Sequence, residues 1–207
     1  MESYIRFADT TSAWFGKAFA WCIIVMTFGV GYEVFVRRIL GAPTSWAFDL
    51  SYMMYGTLFM MAGAYTLSRD GHVRGDFIYR LWKPRTQARV EFVLYFLFFF
   101  PGAIALVLAG WKYASRSFGY LEVSVMSPAN VPIFHFKMVI VAAGILLVIQ
   151  GIAQVFRCVI CMRTGEWPQH QEDIEEMEDI LLKQAEERAL KHSSEAVDVI
   201  HSEGDRK

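Results

Sequence analysis

MVIVAAGILLVIQGIAQVF, residues 138–156, has the length of a membrane-crossing helix and not one charged side chain. About 20 apolar residues, rising roughly 1.5 Å each, cover the bilayer hydrocarbon. Its two polar residues, Gln150 and Gln154, stand one turn apart on one face, where amides can bond across to another helix. Three further windows lack charge: Ala18–Tyr32, Leu50–Ser68 and Phe92–Trp111. The first is shorter, and Trp14 and Lys17 extend it, since tryptophan sits at the interface and lysine snorkels from a helix end. The pattern predicts four transmembrane helices over about 14–37, 46–68, 90–113 and 132–157, making an all-α integral membrane protein. A chain that is 55% hydrophobic, with positive mean hydropathy, suits that class better than a soluble helical domain. Glu2 and Asp9 precede Trp14, and no small-residue cleavage site follows the first apolar run. A cleavable signal peptide is therefore not expected.

The charge is divided unevenly. Residues 1–163 carry a net +7 and residues 164–207 a net −8. The acidic tail argues against nucleic acid as a partner. Four crossings put both termini on one side. That side carries ten basic residues at helix ends and in its loop, against five on the other, so the termini are expected in the cytoplasm. Ile174, Met177, Leu181 and Ala185 recur at helical spacing, which predicts an amphipathic helix over about 172–191 followed by disorder.

Between the second and third windows lies SRDGHVRGDF, residues 68–77. Gly71 and Gly75 permit tight turns. Asp76 is placed to cap a short helix, FIYRLWK, whose Phe77, Ile78, Leu81 and Trp82 face the membrane while Arg80 and Lys83 face water. Pro84 ends that interfacial helix. In the second crossing, Asp49, Met53, Gly56, Met60, Gly63 and Leu67 form a stripe in which the glycines let a neighbour approach closely. Pro101-Gly102 predicts a kink in the third.

Candidates for chemistry are few. Cys158 and Cys161 form a CxxC pair at the end of the last helix, the spacing of a redox pair or half a zinc site. Cys22 stands alone, so two reduced thiols at a helix end is the simpler reading. Among charges near membrane depth, Glu33 is expected to pair with Arg37 one turn away. Asp49 sits where the helix dipole favours an acid. Neither is a midplane carboxylate of the kind that marks an ion or substrate path.

Two segments carry a family resemblance. SWAFDLSYMMYGTLFMMAGAYTLSRDGHVRGDF, residues 45–77, resembles the hallmark region of the small membrane subunit of tripartite ATP-independent periplasmic (TRAP) transporters. The match rests on Trp46, Asp49, the small-residue helix through Gly63-Ala64-Tyr65, and Arg69, Gly71, His72, Arg74 and Asp76. SPANVPIFHFKMVIVAAGILLVIQGIA, residues 127–153, is similar to that family's last helix, including Lys137 and Gln150. Gly75 departs from the pattern, where a β-branched residue is common. The similarity covers about residues 14–160 and leaves the acidic tail outside.

The resemblance implies a non-catalytic scaffold in the inner membrane, without cofactor or substrate site. It implies two partners, a large permease subunit and a periplasmic solute-binding protein, and ion-gradient-driven uptake of an organic acid. It gives Trp46, Asp49, Gly56, Gly63 and Gln150 packing or interface roles, and the loop Arg69–Asp76 a structural role at the cytoplasmic turn. Two other readings stand beside it: a four-helix redox protein using Cys158 and Cys161, and a small dimeric exporter. The first calls for a second thiol pair, the second for a carboxylate deep in the first helix.

Overall fold

The computed structural model describes residues 1–69, 71, 82–168 and 188. The chain divides into two units, Met1–His170 and Gln171–Lys207. Almost all of the second unit, the expected tail helix, the interfacial helix except Trp82 and Lys83, and His72, Arg74 and Asp76 lie outside the described residues.

The first unit is helical. Helix α1 (Glu2–Ala20) continues past Trp21 into α2 (Cys22–Phe35), which ends in a π-helical turn over Val36–Leu40. Then come α3 (Ala47–Ser68), α4 (Pro84–Leu94), a π turn over Tyr95–Phe99, α5 (Phe100–Gly119) and α6 (Phe134–Thr164). Three of these rods are long and apolar enough to cross a membrane: Glu2–Leu40, Pro84–Gly119 and Phe134–Thr164. At 39, 36 and 31 residues they reach about 46–58 Å, well beyond a hydrocarbon core of roughly 30 Å. With 22 residues, α3 matches the core in length, but Ser51, Tyr52, Tyr55, Thr57, Tyr65 and Thr66 make it less apolar.

The boundaries follow local chemistry. Pro84 occupies the first turn of α4, where its missing N–H costs nothing, so it opens this helix. Gly165, at φ +91°, caps α6 by returning its N–H to the Cys161 carbonyl at 2.8 Å. At Pro101 the irregularity takes the form of a π turn. The N–H of Phe100 reaches back five residues to the Tyr95 carbonyl, loosening the register where a proline ring would meet the preceding turn.

Three helices run clearly beyond the bounds that the pattern of charge predicts, the last of them to Thr164 rather than 157. The first helix begins at Glu2 rather than near 14, because Ile5, Ala8, Asp9, Ser12 and Gly16 share a buried face. The third rod runs Pro84–Gly119 rather than 90–113, as its charged ends continue the helix beyond the apolar window.

Packing is layered. Helix α3 lies against α1, α2 and α6, and α6 also receives α1, α4 and α5. Small residues make these contacts: Ala64 and Ala143 in one cluster, Ala8 and Ala153 in a second, Ala88 with Cys158 and Cys161 in a third. Close approach of backbones replaces the hydrophobic drive that lipid does not supply. Glycine notches extend the principle. A Cβ on Gly56 would lie 2.5 Å from Phe136 Cζ, and one on Gly144 2.8 Å from Val107 Cγ2. Gly151 receives Phe99 in the same way. At Gly63 the nearest atom, Leu147 Cδ2, is 3.8 Å away, an ordinary contact.

The least forgiving notch is Gly16, where an added Cβ would meet Tyr65 Cβ at 2.6 Å, an atom fixed to the α3 backbone. Gly16→Ala is expected to push α1 off α3 and cost about 1–3 kcal/mol, as overpacking does. Gly63→Ala is expected to be tolerated. Thermal melting of the two variants in the same detergent checks the contrast, and equal melting points would contradict it.

Candidate functional site

The buried charged and amide side chains of the helices gather at the two ends of the bundle. At the end that carries the N-terminus, α1 and α6 share a buried network. Arg157 Nη2 donates to Asp9 Oδ2 at 2.5 Å, Gln150 Nε2 donates to Asp9 Oδ1 at 2.9 Å, and Ser12 Oγ donates to Gln150 Oε1 at 2.9 Å. Asp9 is 5% exposed and Arg157 1%. Arg157 Nε and Nη1 are buried without a hydrogen-bond partner among the described residues. One turn from Gln150, Gln154 Nε2 donates to the Leu67 carbonyl at 2.6 Å and ties α6 to the end of α3. Gln150, Gln154 and Arg157 thus form one polar face on α6. The two glutamines were legible as interhelical bonds, whereas the Asp9–Arg157 pair was not.

At the opposite end, α3 and α6 hold the loop between α5 and α6. Asp49 is fully buried. Its Oδ1 accepts from Ser124 Oγ at 2.6 Å and its Oδ2 accepts from Ser127 Oγ. Within the loop, Ser124 N–H donates to the Val131 carbonyl at 2.8 Å and Ile133 N–H to the Glu122 carbonyl at 3.0 Å. Lys137 Nζ, itself nearly buried, pairs with Glu122 and lies 4.1 Å from the centre of the Tyr113 ring. Glu33 accepts from Arg37 Nε at 2.8 Å, from the Thr44 N–H at 3.0 Å and from the Thr44 hydroxyl, closing the turn between α2 and α3.

The hydrogen bond from Lys137 holds the Glu122 carboxyl below its ordinary range. Because the folded pKa is depressed, this pair adds stability above the unfolded carboxylate value near 4.5. That contribution is lost as pH falls through the lower folded value. The melting advantage of the wild-type chain over Glu122→Gln is expected to be constant near neutrality and to vanish on acidification below about pH 4.5. A pH series of melting curves reads it directly; an advantage that grows as pH falls contradicts the pairing.

The other residues singled out by sequence fall into place around these clusters. Trp46 precedes α3 and stacks on Tyr32 at 6.1 Å between ring centres. The Arg69 guanidinium lies 5.5 Å from the centre of the Tyr65 ring. Gly71 donates its N–H to the Thr66 carbonyl at 3.0 Å. Cys158 and Cys161 are fully buried against Ala88, with Cys158 Sγ 3.8 Å from Glu91 Oε2 and Cys161 Sγ 3.6 Å from the Pro84 carbonyl. Such thiols pack as small apolar groups, unlike the exposed, electropositive setting of reactive cysteines. Among the described residues, no group of three His, Cys, Asp or Glu is placed to hold a metal ion.

What the arrangement does is mechanical. Both buried carboxylates of the described bundle, Asp9 and Asp49, are engaged in fastening one helix or loop to another. Residues 8–161 match the family model described as "Tripartite ATP-independent periplasmic transporters, DctQ component". A search of curated proteins found no match.

Proposed function

The chain belongs to the DctQ-component family of tripartite ATP-independent periplasmic transporters, and from that premise we propose that it is the scaffold against which a large permease subunit works. It is a multi-pass membrane protein and a non-catalytic component of such a transporter. In the proposed arrangement α3 is the fourth crossing, with α1, α2 and α6 packed against it. The termini lie in the cytoplasm of a bacterium, on the side favoured by the basic residues. The large subunit carries the solute and ion sites, and a periplasmic binding protein delivers an organic acid.

The observation that supports this reading best is the direction of the polar side chains. The buried charged and amide groups Asp9, Asp49, Gln150, Gln154 and Arg157 turn inward and fasten helices and loop at the two ends of the bundle, while the outer faces of α2 and α5 present Phe28, Val34, Ile104 and Leu108. Bonds of this kind hold helices in fixed register. A solute path would instead leave charged groups open at membrane depth.

Purification of the tagged chain from its native membrane is expected to bring down a larger multi-helix membrane protein in fixed ratio. Recovery of the chain alone, in a preparation that still takes up solute, would remove the scaffold reading.

A further inference from the structure

The outer faces of the helices differ in composition. On α2 the exposed side chains include Ile23, Ile24, Val25, Phe28 and Val34, residues at home in lipid. On α3 the exposed residues are Phe48, Tyr55 and Phe59, at 63%, 59% and 69%. Spacings of seven and four put all three on one stripe, continued by half-buried Tyr52 and Thr66. Tyr55 and Phe59 are stacked, with ring centres 6.4 Å apart. The other sides of α3 are taken by α1, α2 and α6.

Tyr55 is the telling residue. It lies eight residues from the start of α3, about 12 Å along an axis of roughly 33 Å, which in the proposed arrangement is well inside the hydrocarbon and about 4–5 Å from its middle. Tyrosine belongs at the interfaces, where its hydroxyl is wet. From this depth the ring is too short to snorkel to either surface. Thr27 and Thr66 settle their hydroxyls on carbonyls of their own helices, at 2.7 Å and 3.0 Å. A phenol, held out on its ring, cannot fold back in that way, and Tyr55 makes no hydrogen bond among the described residues. In lipid that hydroxyl would stand unpaired, at a cost of several kcal/mol on water-to-hydrocarbon scales.

We propose that the α3 stripe Phe48–Tyr55–Phe59 is the face on which the large permease subunit packs, through a transmembrane helix that offers Tyr55 a hydrogen-bond acceptor near the midplane. This rests on the scaffold reading and names the surface it uses. Aromatic side chains with a polar tip are the residues that anchor interfaces. The helix that falls short of the other crossings in apolar character is then the one sheltered from lipid on every side.

Site-specific photocrosslinking in the assembled complex tests it. A benzophenone-bearing phenylalanine analogue is placed at Phe59, or at Phe28 on α2, which is exposed to 76% and serves as a matched control. The expected result is an adduct with the large subunit from position 59, several-fold stronger than from position 28. Tyr55→Phe is expected to lower the share of large subunit retained through a detergent wash by about threefold, the weight of a typical interhelical hydrogen bond in a membrane.

An intact complex that crosslinks from position 28 in preference to 59, or from neither, overturns the assignment and leaves the scaffold reading standing. An adduct of twice this chain's mass from position 59 overturns it in favour of a second copy. Failure of the unmodified chain to bring down any large subunit overturns both.

Discussion

Arg157→Met alone is expected to be the most damaging substitution in the described bundle, at about 3–5 kcal/mol, because it leaves the buried Asp9 carboxyl without its guanidinium partner, held by Gln150 alone. Asp9→Leu alone is expected to cost a similar amount, by stranding the guanidinium. The double variant Asp9→Leu/Arg157→Met is expected to recover most of the loss. The pair is poorly satisfied even when intact, since Arg157 Nε and Nη1 are buried without acceptors among the described residues. Replacing such a pair by apolar side chains of similar volume removes a desolvation cost along with the attraction. Melting of the three variants gives the coupling between positions 9 and 157. Additive losses would show that each residue acts through other neighbours.

The second large effect is expected at Asp49. Asp49→Ala removes the acceptor shared by Ser124 and Ser127, and hydrogen bonds to a charged group contribute about 1.5–3 kcal/mol each. The stability loss is expected to be accompanied by a local one. The loop 120–133 should become cleavable by protease from its own side of the membrane while α3 and α6 stay folded. Asp49→Asn keeps one acceptor oxygen and is expected to restore much of the protection. Any loss of the large subunit in the alanine variant is then transmitted through the loop, because Asp49 is fully buried within this chain. Full protection of the loop in Asp49→Ala would show that the backbone bonds of Ser124 and Ile133 hold it without the carboxylate.

The positions of the helices were readable from where charge is absent, because lipid imposes that requirement residue by residue. The ends of α3, expected at 46 and 68 and found at Ala47 and Ser68, were readable too, but several other termini were not. Residues 2–13 contain Glu2, Arg6 and Asp9 and look like a solvated flank, yet they extend α1 by more than three turns. A helix that leaves the hydrocarbon can continue at no cost if one face still finds a partner. Ile5, Ala8, Ser12 and Gly16 were the signal, a helical period of small or apolar residues running under the charges.

Much the same holds for the polar contacts. Gln150 and Gln154 announce an interhelical bond because amides in an apolar run need a partner, and Arg157 extends their face by one turn. Nothing in the order of residues says that the partner of Arg157 lies 148 positions away. Asp49 was legible as an acid at a helix start, but its two serine donors sit in a loop whose path depends on how α5 and α6 pack. Glu33 with Arg37 was legible throughout, since the partners are four residues apart on one helix.

Purified chain reconstituted alone into sealed vesicles, supplied with an inward sodium gradient and a panel of labelled organic acids, tests the scaffold reading most directly. The account predicts no uptake above protein-free vesicles, and uptake that appears when the large subunit and the binding protein are added. Gradient-dependent accumulation by vesicles holding this chain alone would contradict it.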